Sequence, residues 1–217
     1  MNRSPLLLGL ITGVLVAAGV AWLMSGLTGT SEPVAEIPRR LTPTPATAAA
    51  AAVDPTPKKA DYAGRLSGGR GLVALSIRGG KAVGYFCDGQ RETWLKGTAT
   101  NNVVTLAGAQ DEDVTLEARL REGRATGRLG LDGDTWRFTA ATVKKPSGLY
   151  RATQAVRGSK IVGGWIVLPS GRQVGAISFD GLPEPAPLLT PGEDVRTYGV
   201  TLRPEGVDAF FDGVVDG

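Results

Sequence analysis

From Tyr62 onward, apolar and polar residues alternate with a period of two. Val114, Leu116, Ala118 and Leu120 interleave with Thr115, Glu117, Arg119 and Arg121, and Trp136, Phe138 and Ala140 interleave with Arg137 and Thr139. Successive side chains of a strand point to opposite faces, so each such run predicts a strand with one face in a core and the other in water. On this basis strands are predicted over residues 72–78, 81–87, 92–98, 103–109, 114–120, 125–131, 135–143, 149–155, 161–168, 173–179 and 197–202. Between them stand Gly79-Gly80, Asp88-Gly89, Asn101-Asn102, Glu122-Gly123, Asp132-Gly133, Ser170-Gly171 and Asp180-Gly181, and glycine and asparagine tolerate the positive φ that tight hairpins require. The fold class that follows is all-β: an antiparallel up-and-down β-barrel or a two-sheet sandwich, because so many short strands in one open sheet leave costly edges. Glycines within the predicted strands, Gly84, Gly127, Gly163, Gly164 and Gly175, are expected to mark bends of a closing sheet.

Three stretches depart from the alternation. Residues 161–168, with Trp165 and Val167 on one face and Ile166 on the other, are apolar on both faces. Such a strand is either covered on both sides or shows one face to a partner. Residues 182–191 hold Pro183, Pro185, Pro187 and Pro191, predicting a stiff, extended loop able to drape across a sheet. Residues 212–217 are expected to fray as a terminal tail.

Ahead of the β-region the pattern is different. Residues 5–27 run without a charge, about 34 Å of helix against a hydrocarbon core of roughly 30 Å, which predicts one transmembrane helix. A cleaved signal peptide is the competing reading, with Gly19-Val20-Ala21 as its small residues, but the apolar run continues past that site. Gly9 and Gly13 form a G-x-x-x-G, a pattern that also serves helix association. The positive-inside bias favours the far side, where Arg39 and Arg40 outnumber Arg3. A four-residue head nevertheless has little reason to cross, and the N-terminus is expected inside with the β-domain outside. Residues 28–60, rich in Pro, Ala and Thr, lack the apolar bulk that offsets ordering entropy and read as a disordered linker. The expected organisation is therefore a stub (1–4), a span (5–27), a linker (28–60), a β-domain (61–211) and the tail (212–217).

Composition narrows the chemistry. The chain contains no histidine, which removes the commonest general base and metal ligand. Its one cysteine, Cys87, excludes an intramolecular disulfide and a thiolate metal cage, and beside Asp88 it reads as a small buried hydrophobe before a hairpin. From residue 61 onward there are 19 basic against 18 acidic residues, so a nucleic-acid partner is not expected. Asp111-Glu112-Asp113 lacks the spacing of a calcium loop and reads as a solvated turn. No serine-hydrolase elbow, P-loop or dinucleotide fingerprint is present. The expectation is therefore no catalytic residue, no metal and no cofactor. Glu92, Trp94 and Lys96 share one face of a predicted strand. Either Trp94 is core with charges at its rims, or it is an exposed aromatic between a carboxylate and an amine, suited to a sugar or peptide. With Trp165 and Val167 these form the candidate binding surface: Glu92, Trp94, Lys96, Trp165 and Val167.

Tyr85-Phe86-Cys87-Asp88-Gly89, Trp94-Leu95-Lys96-Gly97, Ser147-Gly148-Leu149-Tyr150-Arg151-Ala152 and the stretch from Gly163 to Arg172 together resemble a group of uncharacterised single-span actinobacterial membrane proteins with an extracytoplasmic β-domain. The likeness covers residues 62–179 and the anchor-and-linker layout. It implies a single-pass protein of the cell envelope and carries no activity and no site residue with it. The function expected is non-enzymatic binding of an envelope protein or polymer. The alternative is a calycin-like barrel holding a small apolar ligand among Trp136, Phe138 and Leu116.

Overall fold

The computed structural model describes residues 55–69 and 71–216. The predicted span and nearly all of the linker lie outside the described residues, and among these no helix is long and apolar enough to cross a membrane.

Eight strands form a closed antiparallel barrel in which each strand pairs with its chain neighbours: β1 (Lys59–Leu66), β2 (Leu72–Arg78), β3 (Lys81–Cys87), β4 (Glu92–Thr100), β5 (Val103–Gly108), β6 (Thr115–Arg121), β7 (Arg124–Leu131) and β8 (Asp134–Thr142). Closure comes from β1 on β8, with Tyr62 opposite Thr142 and Leu66 opposite Phe138. The alternation delivers the interior as expected. Leu116, Ala118 and Leu120 of β6 meet Val73, Leu75 and Ile77 of β2 and Phe138 of β8 in one apolar cluster. The predicted hairpin turns form too; Asn101 and Asn102 have φ of 51° and 59°, the mirror-image turn that matches strand twist.

A second sheet follows in the order β12 (Leu182–Pro185), β11 (Gln173–Phe179), β10 (Ser159–Val167), β9 (Gly148–Val156), β15 (Glu205–Gly206), with a small hairpin of β13 (Val195–Thr197) and β14 (Val200–Leu202). Its inner face, with Leu149, Ile166 and Ala176, packs on the outside of the barrel against Leu72, Ala74, Val83, Tyr85 and Cys87. Its outer face, with Tyr150, Ile161, Trp165 and Ile177, lies beneath Leu189 of the proline-rich loop and Val195 and Leu202 of the hairpin. Barrel and packed sheet thus occur together rather than as alternatives.

Several expectations are corrected. Strand β1 begins at Lys59, inside the stretch read as linker. It escapes the sequence pattern because Ala63 and Gly64 are too small to register as an apolar face. The predicted loop 182–191 drapes as expected but also pairs, Leu182–Pro185 joining β11 as an edge strand. Residues read as a tail form helix α1 (Phe211–Val215), whose Phe211 and Val214 are buried in the inter-sheet cluster. Gly163 and Gly175 are not bends but a bed for an indole. A Cβ on either would stand 2.4 Å from the Trp165 ring.

Candidate functional site

Where β3 and β4 meet the inner face of the second sheet, the apolar seam is interrupted by polar side chains. Tyr85 and Trp94 are directly opposite in the β3–β4 ladder, and their ring centroids lie 4.3 Å apart. The second sheet reaches them because Gly164 has no side chain. A Cβ there would fall 2.4 Å from Tyr85 Cζ and 2.9 Å from Trp94 Cζ2. Glu92, two residues before Trp94 on the same face, accepts a hydrogen bond from Tyr85 Oη at 2.5 Å and a second from Ser178 Oγ of β11. Arg151 of β9 lays its guanidinium over the Trp94 ring, 5.1 Å from the centroid, and Phe210 meets the same ring edge-on at 5.7 Å.

The electrostatics follow from burial. Loss of water pushes the Glu92 carboxyl above its ordinary value, opposed by the Ser178 and Tyr85 hydroxyls and by Arg151. Desolvation lowers Arg151, opposed by Glu92, and raises the Tyr85 phenol well above the ordinary range, so Tyr85 remains a neutral donor. Cys87, at the end of the same strand, is buried, and burial drives its thiol up to about 11. It is therefore a poor nucleophile.

Two donors in this cluster are buried without a hydrogen-bond partner: Trp94 Nε1 and Arg151 Nε. Both residues line a cleft of about 930 Å³ that Arg91, Gln110, Asp111 and Asp132 border from the barrel turns and Lys160 and Asp180 from the second sheet. An unpaired buried donor costs about 1–3 kcal/mol. Both donors belong to residues that line one cleft, and among the described residues neither finds an acceptor.

Of the five predicted surface residues, the structure brings Glu92 and Trp94 together at this cleft and leaves out three. Lys96, further along β4, does not line it. Trp165 and Val167 are corrected outright: they sit at 0% and 7% exposure in the outer cluster of the second sheet. There Trp165 Nε1 donates to the Pro187 carbonyl at 3.0 Å, and Gln173 holds the loop by exchanging two hydrogen bonds with the Leu189 backbone. The covered reading of residues 161–168 is the one observed. Trp94 itself falls between its two readings, half-buried, with one face packed and its N–H unsatisfied. Sequence reasoning missed Tyr85, Arg151 and Ser178. The available signal is a polar residue on a strand whose neighbours are apolar on both faces, as in Leu149-Tyr150-Arg151-Ala152.

The acidic run behaves as a turn, with Asp113 N donating to Asp111 Oδ1 at 3.0 Å, and no cluster of potential metal ligands occurs among the described residues. Comparison with protein-family models, with curated proteins and with solved structures finds no match to this chain.

Proposed function

We propose that this chain is a single-pass, membrane-anchored binding module of the cell envelope. Its extracytoplasmic β-domain takes an acceptor-rich group of an envelope polymer or protein into the cleft beside Trp94 and Arg151, without catalysis. The observation that carries this reading is the pair of buried, partnerless donors, Trp94 Nε1 and Arg151 Nε, at a cleft of about 930 Å³. A cleft of that size with few, convergent polar groups suits ligand capture. Support for the location is the uncharged run 5–27 followed by a Pro/Ala/Thr-rich stretch and the resemblance described above. The cleft is favoured over a calycin-like interior because Leu116 and Phe138 pack with the other inward side chains into a single cluster, with Trp136 against its edge.

Isothermal titration of the full chain in detergent with soluble cell-wall glycopeptides, which carry both carboxylates and sugar hydroxyls, tests the site. Trp94→Phe keeps an aromatic side chain and removes the donor, so affinity should fall about tenfold, as for one lost buried hydrogen bond. Equal affinity of wild type and Trp94→Phe, or no heat with any glycopeptide, refutes the assignment.

A further inference from the structure

The near-neutral charge total of the β-domain conceals a segregation that only the barrel reveals. The outward faces of β6, β7, β8 and β1 carry Arg119, Arg121, Arg124, Arg128, Arg137 and Arg65, all exposed. Register sets Arg121 opposite Arg124 and Arg128 opposite Arg137, although like charges directly opposite on a sheet are destabilising. Of the six, only Arg121 has an ion-pair partner among the described residues, Glu122 at 3.1 Å. Glu117, opposite Arg128, is the one acidic residue facing outward between them. Elsewhere on the barrel Arg78 pairs with Asp61 and Asp208, Lys59 with Asp208, and Lys81 with Asp216; among the described residues Lys96 of β4 has no ion pair.

The two ends of the barrel also differ. In an up-and-down barrel the start of β1, the β2–β3, β4–β5 and β6–β7 turns and the exit of β8 share one end. The hydrogen bond from Asn102 N to Thr56 Oγ, 2.6 Å, places the incoming chain there too. This end carries Lys58, Arg121, Arg124, Lys144 and Lys145, against Glu122 in the β6–β7 turn. The opposite end carries Asp88, Asp111, Glu112, Asp113, Asp132 and Asp134, of which Arg91 pairs with Asp88 and Asp132.

We propose that the basic end and the adjoining arginine wall dock on the anionic headgroup surface of the membrane that anchors the chain. This inference rests on the anchored reading given above. Three observations select lipid over other anions. Lys58, Arg121, Arg124, Lys144 and Lys145 adjoin the point where the N-terminal segment enters the barrel, and the wall continues from them along β6, β7 and β8. On the anchored reading only 30 positions of chain, 28–57, separate the uncharged run from this end of the barrel, a tether that keeps it near the bilayer at high effective concentration. The acidic turns lie at the far end, where an anionic surface repels them least. Arginines and lysines near such a surface each strengthen binding about fivefold at moderate salt. Docked in this way, the domain turns Gln110, Asp111 and Asp132, and with them the cleft, away from the bilayer.

The test uses the full chain with a dye on Thr126→Cys, in the middle of the wall, or on Asp113→Cys, at the far end; the native thiol of Cys87 is buried. Each is reconstituted with vesicles of phosphatidylcholine alone or of phosphatidylcholine with 30 mol % phosphatidylglycerol, both containing a trace of quencher lipid. The expected result is stronger quenching of the Thr126 probe on the anionic vesicles, reversed in 0.5 M NaCl, with the Asp113 probe unchanged. Replacing Arg119, Arg124, Arg128 and Arg137 by Gln should return quenching to the level of neutral vesicles, while lysines at the same positions retain it. Equal quenching on both vesicles, or quenching that survives the four Gln substitutions, overturns the proposal. So does a Thr126 probe that responds to polyphosphate in solution and to neither vesicle, an outcome that assigns the wall to a soluble polyanion. Retention of the chain on neutral vesicles in 0.5 M NaCl reports the anchor separately, so failure of the anchored reading is told apart from failure of the docking.

Discussion

Two walls of the same barrel are built on opposite rules. In β2 and β3 both faces are buried: Val73, Leu75 and Phe86 point inward, and Leu72, Val83 and Tyr85 point outward beneath the second sheet. In β6 the burial alternates strictly, with Leu116, Ala118 and Leu120 inside and Glu117, Arg119 and Arg121 in solvent. On the covered wall a buried polar group without a partner is costly, and Trp94 Nε1 and Arg151 Nε are two that stay so. Ser76 is buried there, and Glu92 is held by Tyr85 and Ser178. The open wall tolerates Arg128 opposite Arg137 because water screens both. Each wall therefore marks a different departure from simple stability: partnerless donors on one, unneutralised arginines on the other.

The contrast can be broken experimentally, most forcefully through thiol access. Native Cys87 should react with a thiol reagent at least about a thousandfold more slowly than a cysteine placed at Thr126, because its exposure requires opening that costs upward of about 5 kcal/mol. Comparable rates would mean that the second sheet does not cover β3. Next in size is Trp165→Ala, which removes the ring bedded on Gly163 and Gly175 and should cost about 3–5 kcal/mol by urea denaturation. A loss under about 1 kcal/mol would show that the outer cluster contributes little. Tyr85→Phe deletes one of the two hydroxyl donors of Glu92 and should cost about 1–3 kcal/mol; a neutral result would mean that water takes its place.

A subtler effect is pH dependence. Burial raises the Glu92 carboxyl above its ordinary value near 4.5. The native state then holds that proton more tightly than the unfolded chain does. The contribution of Glu92 to folding is most favourable below the ordinary value and is lost as pH rises through the folded one. Relative to Glu92→Gln, wild type should lose stability as pH rises above the ordinary carboxyl value, and parallel profiles would remove burial as the dominant influence. The smallest change is expected on the open wall. Arg137→Thr relieves the like-charge pair while Arg128 keeps Glu117 on its other side, and should stabilise the domain by about 0.2–1 kcal/mol at low salt, fading as salt is added. Destabilisation would instead imply a partner for Arg137.

Legibility in the sequence followed the same division. Where one face is wet, period-two alternation is a direct record of the environment, and strands β6 to β8 were readable to within a residue or so. Where both faces are buried, the record is ambiguous. Residues 161–168 read as a covered strand sooner than as a partner surface, with both open, and only the loop through Pro187 and Leu189 decides for cover. Glu92 and Trp94 were legible as an unusual pair on one face. Their partners were not, because Ser178 lies 86 residues from Glu92 in the chain and nothing local forecasts that β11 will cross it. Charge shows the same limit, since a total of +1 from residue 61 onward gives no hint that arginines gather on β6, β7, β8 and β1 while carboxylates collect in the opposite turns.

Strand identity, hairpin geometry and the all-β class are properties of the sequence by itself, because they depend on neighbours one to four residues apart and on which backbones accept positive φ. Which strands close the barrel, which face the second sheet covers, and which donors are left without partners are decided only by tertiary structure. Those outcomes depend on residues far apart in the chain approaching within a few ångströms, as Gly164 lets Tyr85 and Trp94 do, and no local pattern carries that distance.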